Sequence, residues 1–170
     1  MDTENKLAWC EKYGEKTELE FSMEKMFELG IPTYVNPEKK RDKFSHDLCS
    51  IFQTDLKTVR TPLFMSQELY GIDPQFAVTF NLKDGSRYKE LYPNIIVIFD
   101  VKWETTEKEI AGKIYSVKPM HVTVAGFLSN IRNAIKQSGN NKIDYKKRVD
   151  DTNGNAKTSY VFDLRLLHQL

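Results

Sequence analysis

The stretch "SHDLCSIFQTDLKTVRTP", residues 45–62, decides how the chain is read. It has a half-buried strand pattern, yet it sets Asp47, Asp55 and Lys57 among Leu48, Ile51, Phe52, Leu56 and Val59. Two short strands or a tight hairpin ending at Pro62 fit the pattern. Carboxylates and an ammonium beside apolar side chains are costly when desolvated without partners. These three either face water or converge on something that requires them. In a D-x-K tripeptide on a strand, Asp55 and Lys57 point to one face while Leu56 goes to the core. Asp47, on the neighbouring strand, can meet Asp55 across the pair. Two carboxylates at one spot repel, and a divalent cation relieves the repulsion. Mg²⁺ suits them because it takes hard oxygen ligands and keeps waters, with Mn²⁺ as a substitute. A lysine beside that ion can hold a phosphate oxygen or position an attacking water, which suits phosphodiester hydrolysis.

Upstream, "TELEFSMEKMFEL" at 17–29 puts Leu19, Met23, Met26, Phe27 and Leu29 near one helical face. Thr17 with Glu20 fits a capping box and Gly30 a stop. "IPTYVN" reads as a short strand and "PEKKRDK" as a charged loop. Downstream, "QFAVTFN" alternates as a strand, "DGSRYKELY" is a turn plus a helical segment, and "NIIVIFDVKW" at 94–103 is the candidate central strand, covered on both faces. "KIYSVKP" is a further strand. "HVTVAGFLSNIRNAIKQSG" spaces Val124, Phe127, Leu128, Ile131 and Ile135 for an amphipathic helix ended by Gly139. "KIDYKKR" and "SYVFDLRLL" are strand-like, with "DDTNGN" as a turn or loop between them. Helix, a run of strands, then helix and strands predicts one α/β domain over 1–170 around a mixed sheet, with 1–14 a loosely ordered N-terminal segment.

The bulk numbers agree with one globular domain. The aromatic share of 12% argues against disorder, and a net charge of +1 means that nucleic-acid binding needs basic groups gathered locally. Cys10 and Cys49 lie far apart with no C-x-x-C, which argues against a zinc site or a disulfide framework. The N-terminus has no apolar core of a signal peptide, and the longest apolar run, "IIVIF", is far short of a membrane span. The expectation is a cytoplasmic protein without a membrane partner.

A helix bearing Glu, then Asp, then "DLK" on the next strand resembles the PD-(D/E)xK nuclease superfamily. That group includes restriction endonucleases, Holliday-junction resolvases and phage recombination nucleases. "TELEF…ELG" matches its first helix, "HDL" its first acidic strand and "TDLKT" its second, so the resemblance covers roughly residues 15–60. His46 stands where the proline of the motif's name would be, and only seven residues separate Asp47 from Asp55. The resemblance implies a restriction-endonuclease-like central mixed β-sheet flanked by helices. It also implies Asp47 and Asp55 as Mg²⁺ ligands, Lys57 as the catalytic lysine, and Glu18 as the accessory metal-binding carboxylate, with Glu20 the alternative. Many such nucleases are homodimers, although no dimer face is evident in this sequence.

A rival pair lies in "IIVIFDVK", where Asp100 and Lys102 also end an apolar strand and Asp84 or Asp73 supplies an upstream acid. No Glu-bearing helix feeds that strand, so the 47/55/57 set is preferred. Lys39, Lys40, Arg41 and Lys43 precede the preferred site and Arg60 follows it, a patch of the kind that phosphate contacts require. Arg60 is three residues from Lys57 and joins the site only where the strand bends. Gln67 and Tyr70 have the Q-x-x-Y spacing that some nucleases of this group use near substrate. His46 is a candidate metal-shell or base residue. Lys142, Lys146, Lys147 and Arg148 on a ribbon could enter a DNA groove. The expected activity is Mg²⁺-dependent endonucleolytic cleavage of DNA, of restriction, phage or recombination and repair type. A non-catalytic nucleic-acid-binding or assembly module on the same fold is the alternative. Mg²⁺ and a basic groove do not choose between DNA and RNA. There is no P-loop and no G-x-S-x-G.

Overall fold

Val97, Phe99 and Val101 alternate with Ile96 and Ile98, so the strand they form is apolar on both faces and must lie inside a sheet. In the computed structural model it does. The structure describes residues 14–24, 33–42, 45–50, 52–145 and 158–169. The strands are β1 (Tyr34–Val35), β2 (Leu48–Cys49), β3 (Gln53–Val59), β4 (Ala77–Asn81), β5 (Ile96–Lys102), β6 (Glu107–Ile110), β7 (Lys113–Ser116), β8 (His121–Phe127), β9 (Lys142–Asp144), β10 (Thr158–Asp163) and β11 (His168–Gln169). The helices are α1 (Glu15–Met23), α2 (Ser66–Tyr70), α3 (Leu82–Leu91) and α4 (Leu128–Gln137).

The main sheet has the order β1-β2-β3-β5-β8-β11, with β3 and β5 parallel and the other neighbours antiparallel. The coarse expectation of one mixed α/β domain around a central mixed sheet is therefore met. A smaller sheet, β4-β10-β9, and the β6–β7 hairpin complete it. The larger core packs Val97, Phe99 and Val101 against Val78, Phe80, Tyr88, Phe162 and the α4 residues Leu128, Ile131 and Ile135. The opposite face buries Leu56, Ile98 and Ala125 with Leu48 and Phe21 of α1. Among the described residues no helix is long and apolar enough to cross a membrane.

Several local expectations change. "HVTVAGF" is strand β8 rather than the start of a helix, and α4 begins at Leu128. Val122, Thr123 and Val124 are stiff at χ1 and fit a pleated surface better than a helical turn. Gly139, at φ +88°, does follow the helix end, in a conformation that favours glycine. The capping box does not form: α1 begins after Gly14 with no side-chain cap, which puts Thr17 inside the helix. Its expected continuation through Met26, Phe27, Leu29 and Gly30 lies outside the described residues. "PEKK" is a 3₁₀ turn, Pro37–Lys40, rather than a loop; Asn36 caps it and Pro37 pre-sets its first φ. "EKEI" forms the partner strand of "KIYS".

Candidate active site

The site grows from the hairpin register. Leu48 pairs with Thr54 and Cys49 with Gln53, so one further step sets Asp47 opposite Asp55. There β2 has ended, and the Asp47 Oδ2 takes over the strand's role by accepting the Leu56 N–H at 3.1 Å. The pairing Asp55↔Val97 and Lys57↔Phe99 places both polar side chains on the face of the larger core. Asp55 is shut off from water at 3% exposed, and the Lys57 side chain is half-buried.

What they meet there comes from α3. Lys57 Nζ lies 2.8 Å from Asp55 Oδ2 and 2.8 Å from Asp84 Oδ2. Asp84 also pairs with Arg87 Nη2 at 3.1 Å. The fully buried Tyr88 ring neighbours both cations, with Lys57 Nζ 5.7 Å and Arg87 Cζ 5.0 Å from its centroid. Asp84, Arg87 and Tyr88 share one side of α3 because residues three and four apart do so. The only sequence signal for them was that spacing in "DGSRY", and Asp84 was read there as an acid for the rival pair.

The acidic side is completed from α1. Glu18 is buried, while Glu20 is exposed and reaches Lys16 at 3.7 Å, so Glu18 is the helix carboxylate turned inward. Lys39, on the 3₁₀ turn, hydrogen-bonds both Glu18 Oε1 and Asp47 Oδ1. Asn36 fixes this arrangement from behind. Its Oδ1 caps the turn at the Glu38 N–H, its Nδ2 donates to the His46 carbonyl, and its N–H donates to the Asp47 carbonyl.

The electrostatics follow from this crowding. Burial first, and Asp55 second, push the Asp47 carboxyl up to about 7 against the pull of Lys39 and Lys57. Burial also raises Asp55, but the Lys57 charge and hydrogen bonds from Asp47, Lys57 and Tyr88 outweigh it, so Asp55 sits below the usual carboxylate range. The two carboxyls are thus driven apart, Asp47 toward its protonated form and Asp55 toward its charged one. For Lys57, burial is outweighed by Asp55, Tyr88, Asp84 and Asp47, and the ammonium stays charged well above its ordinary range. Burial is the main force raising the Tyr88 hydroxyl.

The other candidates lie as follows. Lys40 and Arg41 are exposed on the turn and its end, Arg41 lying 3.4 Å from Glu38. Lys43, Lys146, Lys147 and Arg148 lie outside the described residues. The fold does not bring Arg60 to Lys57: its guanidinium is buried on Asp100, with Nη2 2.6 Å from Oδ2 and Nη1 2.8 Å from the carbonyl. The strand does not bend to admit it. Asp100 also meets His121 Nε2 at 3.1 Å, while Lys102 is exposed. Gln67 is exposed on α2, whose Glu68 reaches the β6–β7 hairpin through Tyr115, and Tyr70 packs beside Ile72, Ala77 and Val161. His46 Nε2 lies 3.3 Å from Cys49 Sγ, and burial lowers the pKa of its ring. Asp73 caps its own turn at the Gln75 N–H.

Among the described residues no three His, Cys, Asp or Glu side chains are gathered so as to hold a metal ion as they stand. The donor chemistry nonetheless suits a hard cation. All three acids offer oxygen, and Glu18 Oε2 is buried without a hydrogen-bond partner, while Asp55 Oδ2 is held by the Lys57 ammonium at 2.8 Å. No protein family, curated protein or solved structure matches the chain.

Proposed function

We propose that the protein is a Mg²⁺-dependent nuclease that hydrolyses DNA phosphodiester bonds. The observation that carries this reading is the convergence of Glu18, Asp47, Asp55 and Lys57 in a largely buried cluster that leaves Glu18 Oε2 without a partner. Asp47 and Asp55 would hold Mg²⁺, with Glu18 assisting. The bound ion would supply Lewis-acid charge that steadies the developing phosphorane and makes an attacking water more acidic. Lys57 is kept protonated and aimed by Asp55 and Asp84, so it can donate to a phosphate oxygen or orient water at the cluster. Asp84 and Arg87 position that lysine rather than touch substrate. The exposed Lys40 and Arg41 are available to the phosphate backbone, which supplies most sequence-independent affinity. A binding module on this fold would have no need to bury three acids beside a lysine, and this favours the catalytic reading.

The test is incubation of the purified protein with supercoiled plasmid, linear duplex and single-stranded DNA, with Mg²⁺, with Mn²⁺ and with EDTA. Metal-dependent cutting that disappears in Asp55→Ala and Lys57→Ala and survives in a folded Asp100→Asn supports the reading. DNA binding that ignores EDTA, with no cutting of any substrate, makes it a binding module instead.

A further inference from the structure

Lys39 is the feature that this reading does not use. The sequence places it in a basic run with Lys40, Arg41 and Lys43, where a solvated loop or a phosphate-binding patch is the natural expectation. Lys40 and Arg41 are indeed exposed, but the Lys39 side chain is only about a quarter exposed and turns the other way. Its ammonium bridges Glu18 Oε1 and Asp47 Oδ1, two of the three acids assigned to the metal. The bridge is built rather than incidental, because the buried Asn36 caps the turn that carries Lys39 and also holds the 46–47 backbone. Beyond the bridge, Glu18 Oε2 is buried and has no partner, so one ammonium does not exhaust what the acids can bind.

We propose that Lys39 is a tethered counter-cation: it holds Glu18 and Asp47 together before Mg²⁺ arrives, and the incoming ion displaces it toward the phosphate backbone. This inference rests on the metal-dependent reading above. A lysine suits the role, since its ammonium is a compact point charge on a flexible stem and leaves without breaking a bidentate fork. Two consequences follow. Lys39 competes with the metal, so its charge lowers metal affinity. Once displaced, it joins Lys40 and Arg41, so metal and nucleic acid strengthen each other's binding.

The experiment titrates Mn²⁺ and Mg²⁺ into the DNA-free protein by calorimetry, for wild type, Lys39→Met and Asp55→Asn. Lys39→Met binding the ion about tenfold more tightly than wild type, within the usual range of site-to-site coupling, is the expected result. Equal or weaker binding in a folded Lys39→Met, with wild type binding normally, overturns the inference and leaves the metal reading standing. No binding by wild type sinks the metal reading and this inference with it. Because Lys39→Met leaves two acids facing each other and could fail to fold, wild type supplies a second readout. Acylation with an amine-reactive ester, followed by peptide mass spectrometry, should find Lys39 slow without metal and several-fold faster with Mg²⁺, relative to Lys40. An unchanged ratio at a metal concentration that saturates the calorimetric signal overturns the inference.

Discussion

Strands β3 and β5 lie side by side in parallel, each carries a D-x-K tripeptide, and they use it in opposite ways. The two aspartates differ by three places in register, since Asp55 pairs with Val97 and Thr58 with Asp100, so they point to opposite faces of the sheet. On the β5 side, the Asp100 carboxylate has a complete set of neighbours: Arg60 at 2.6 Å, His121 at 3.1 Å and Thr123 at 3.5 Å. Its lysine, Lys102, points to solvent. On the β3 side three acids share two lysines and leave Glu18 Oε2 without a partner. The tripeptide therefore says little by itself; what differs is whether neighbouring elements satisfy the aspartate, as at Asp100, or crowd it, as in the cluster proposed as the active site.

The contrast breaks most clearly in stability. Asp100→Ala removes the nearer of two carboxylates from the buried Arg60, leaving Glu104 at 3.9 Å, and should cost about 3–5 kcal/mol in urea unfolding. Asp55→Asn should cost less than half of that, because it also removes repulsion from Asp47. Equal losses would erase the distinction between the two sites.

The next largest effect is a pH dependence. Asp47 is raised from 3.8 to about 7 in the folded protein, so its protonated form favours folding. That contribution is complete below about pH 4 and disappears as pH rises through about 7, a loss on the order of 2–4 kcal/mol in metal-free protein. Asp55 is shifted the other way and acts below this window, losing its contribution as pH falls. Thermal melts from pH 4 to 8 should show the decline in wild type with EDTA and no decline in Asp47→Asn, where the lowered His46 ring makes stability rise with pH instead. A decline of equal size in Asp47→Asn would assign it to another group.

Smaller again, Asp84→Asn frees Lys57 from one of its two holders. Cleavage should slow about tenfold, near 1.4 kcal/mol, in kcat with little change in KM, as expected of a positioning residue. A change confined to KM would place Asp84 at the substrate instead. The smallest effect is His121→Gln. This residue is half exposed and Asp100 keeps Arg60, so unfolding should shift by less than about 1 kcal/mol and cleavage not at all.

The parts of this picture that were legible in the sequence are local. Period-two alternation gave the 45–62 hairpin, and the apolar run gave β5. The three-residue offset of Arg60 from Lys57 correctly pointed it to the opposite face. Tertiary choices were not legible. Lys39 and Lys40 are adjacent, identical residues, and it is the turn capped by Asn36, with Glu18 and Asp47 brought beside it, that draws Lys39 inward and leaves Lys40 exposed. Asp84 and Tyr88 reach the site because β4 hands the chain to α3 above β3, a crossover that no local spacing records. β8 was misread because Val124 and Phe127 fit a helical spacing as well as a strand, and pairing with β5 settled the competition.

The hydrogen bond from the Leu56 N–H to Asp47 has one more consequence. β2 covers only Gln53 and Thr54 of β3, so beyond that point the outer margin of the sheet would invite another extended chain. A carboxylate seated at that margin occupies the first amide past the end of β2 and sets an acidic group where an incoming backbone carbonyl would have to lie. Asp47→Ala should therefore increase self-association as well as abolish cutting.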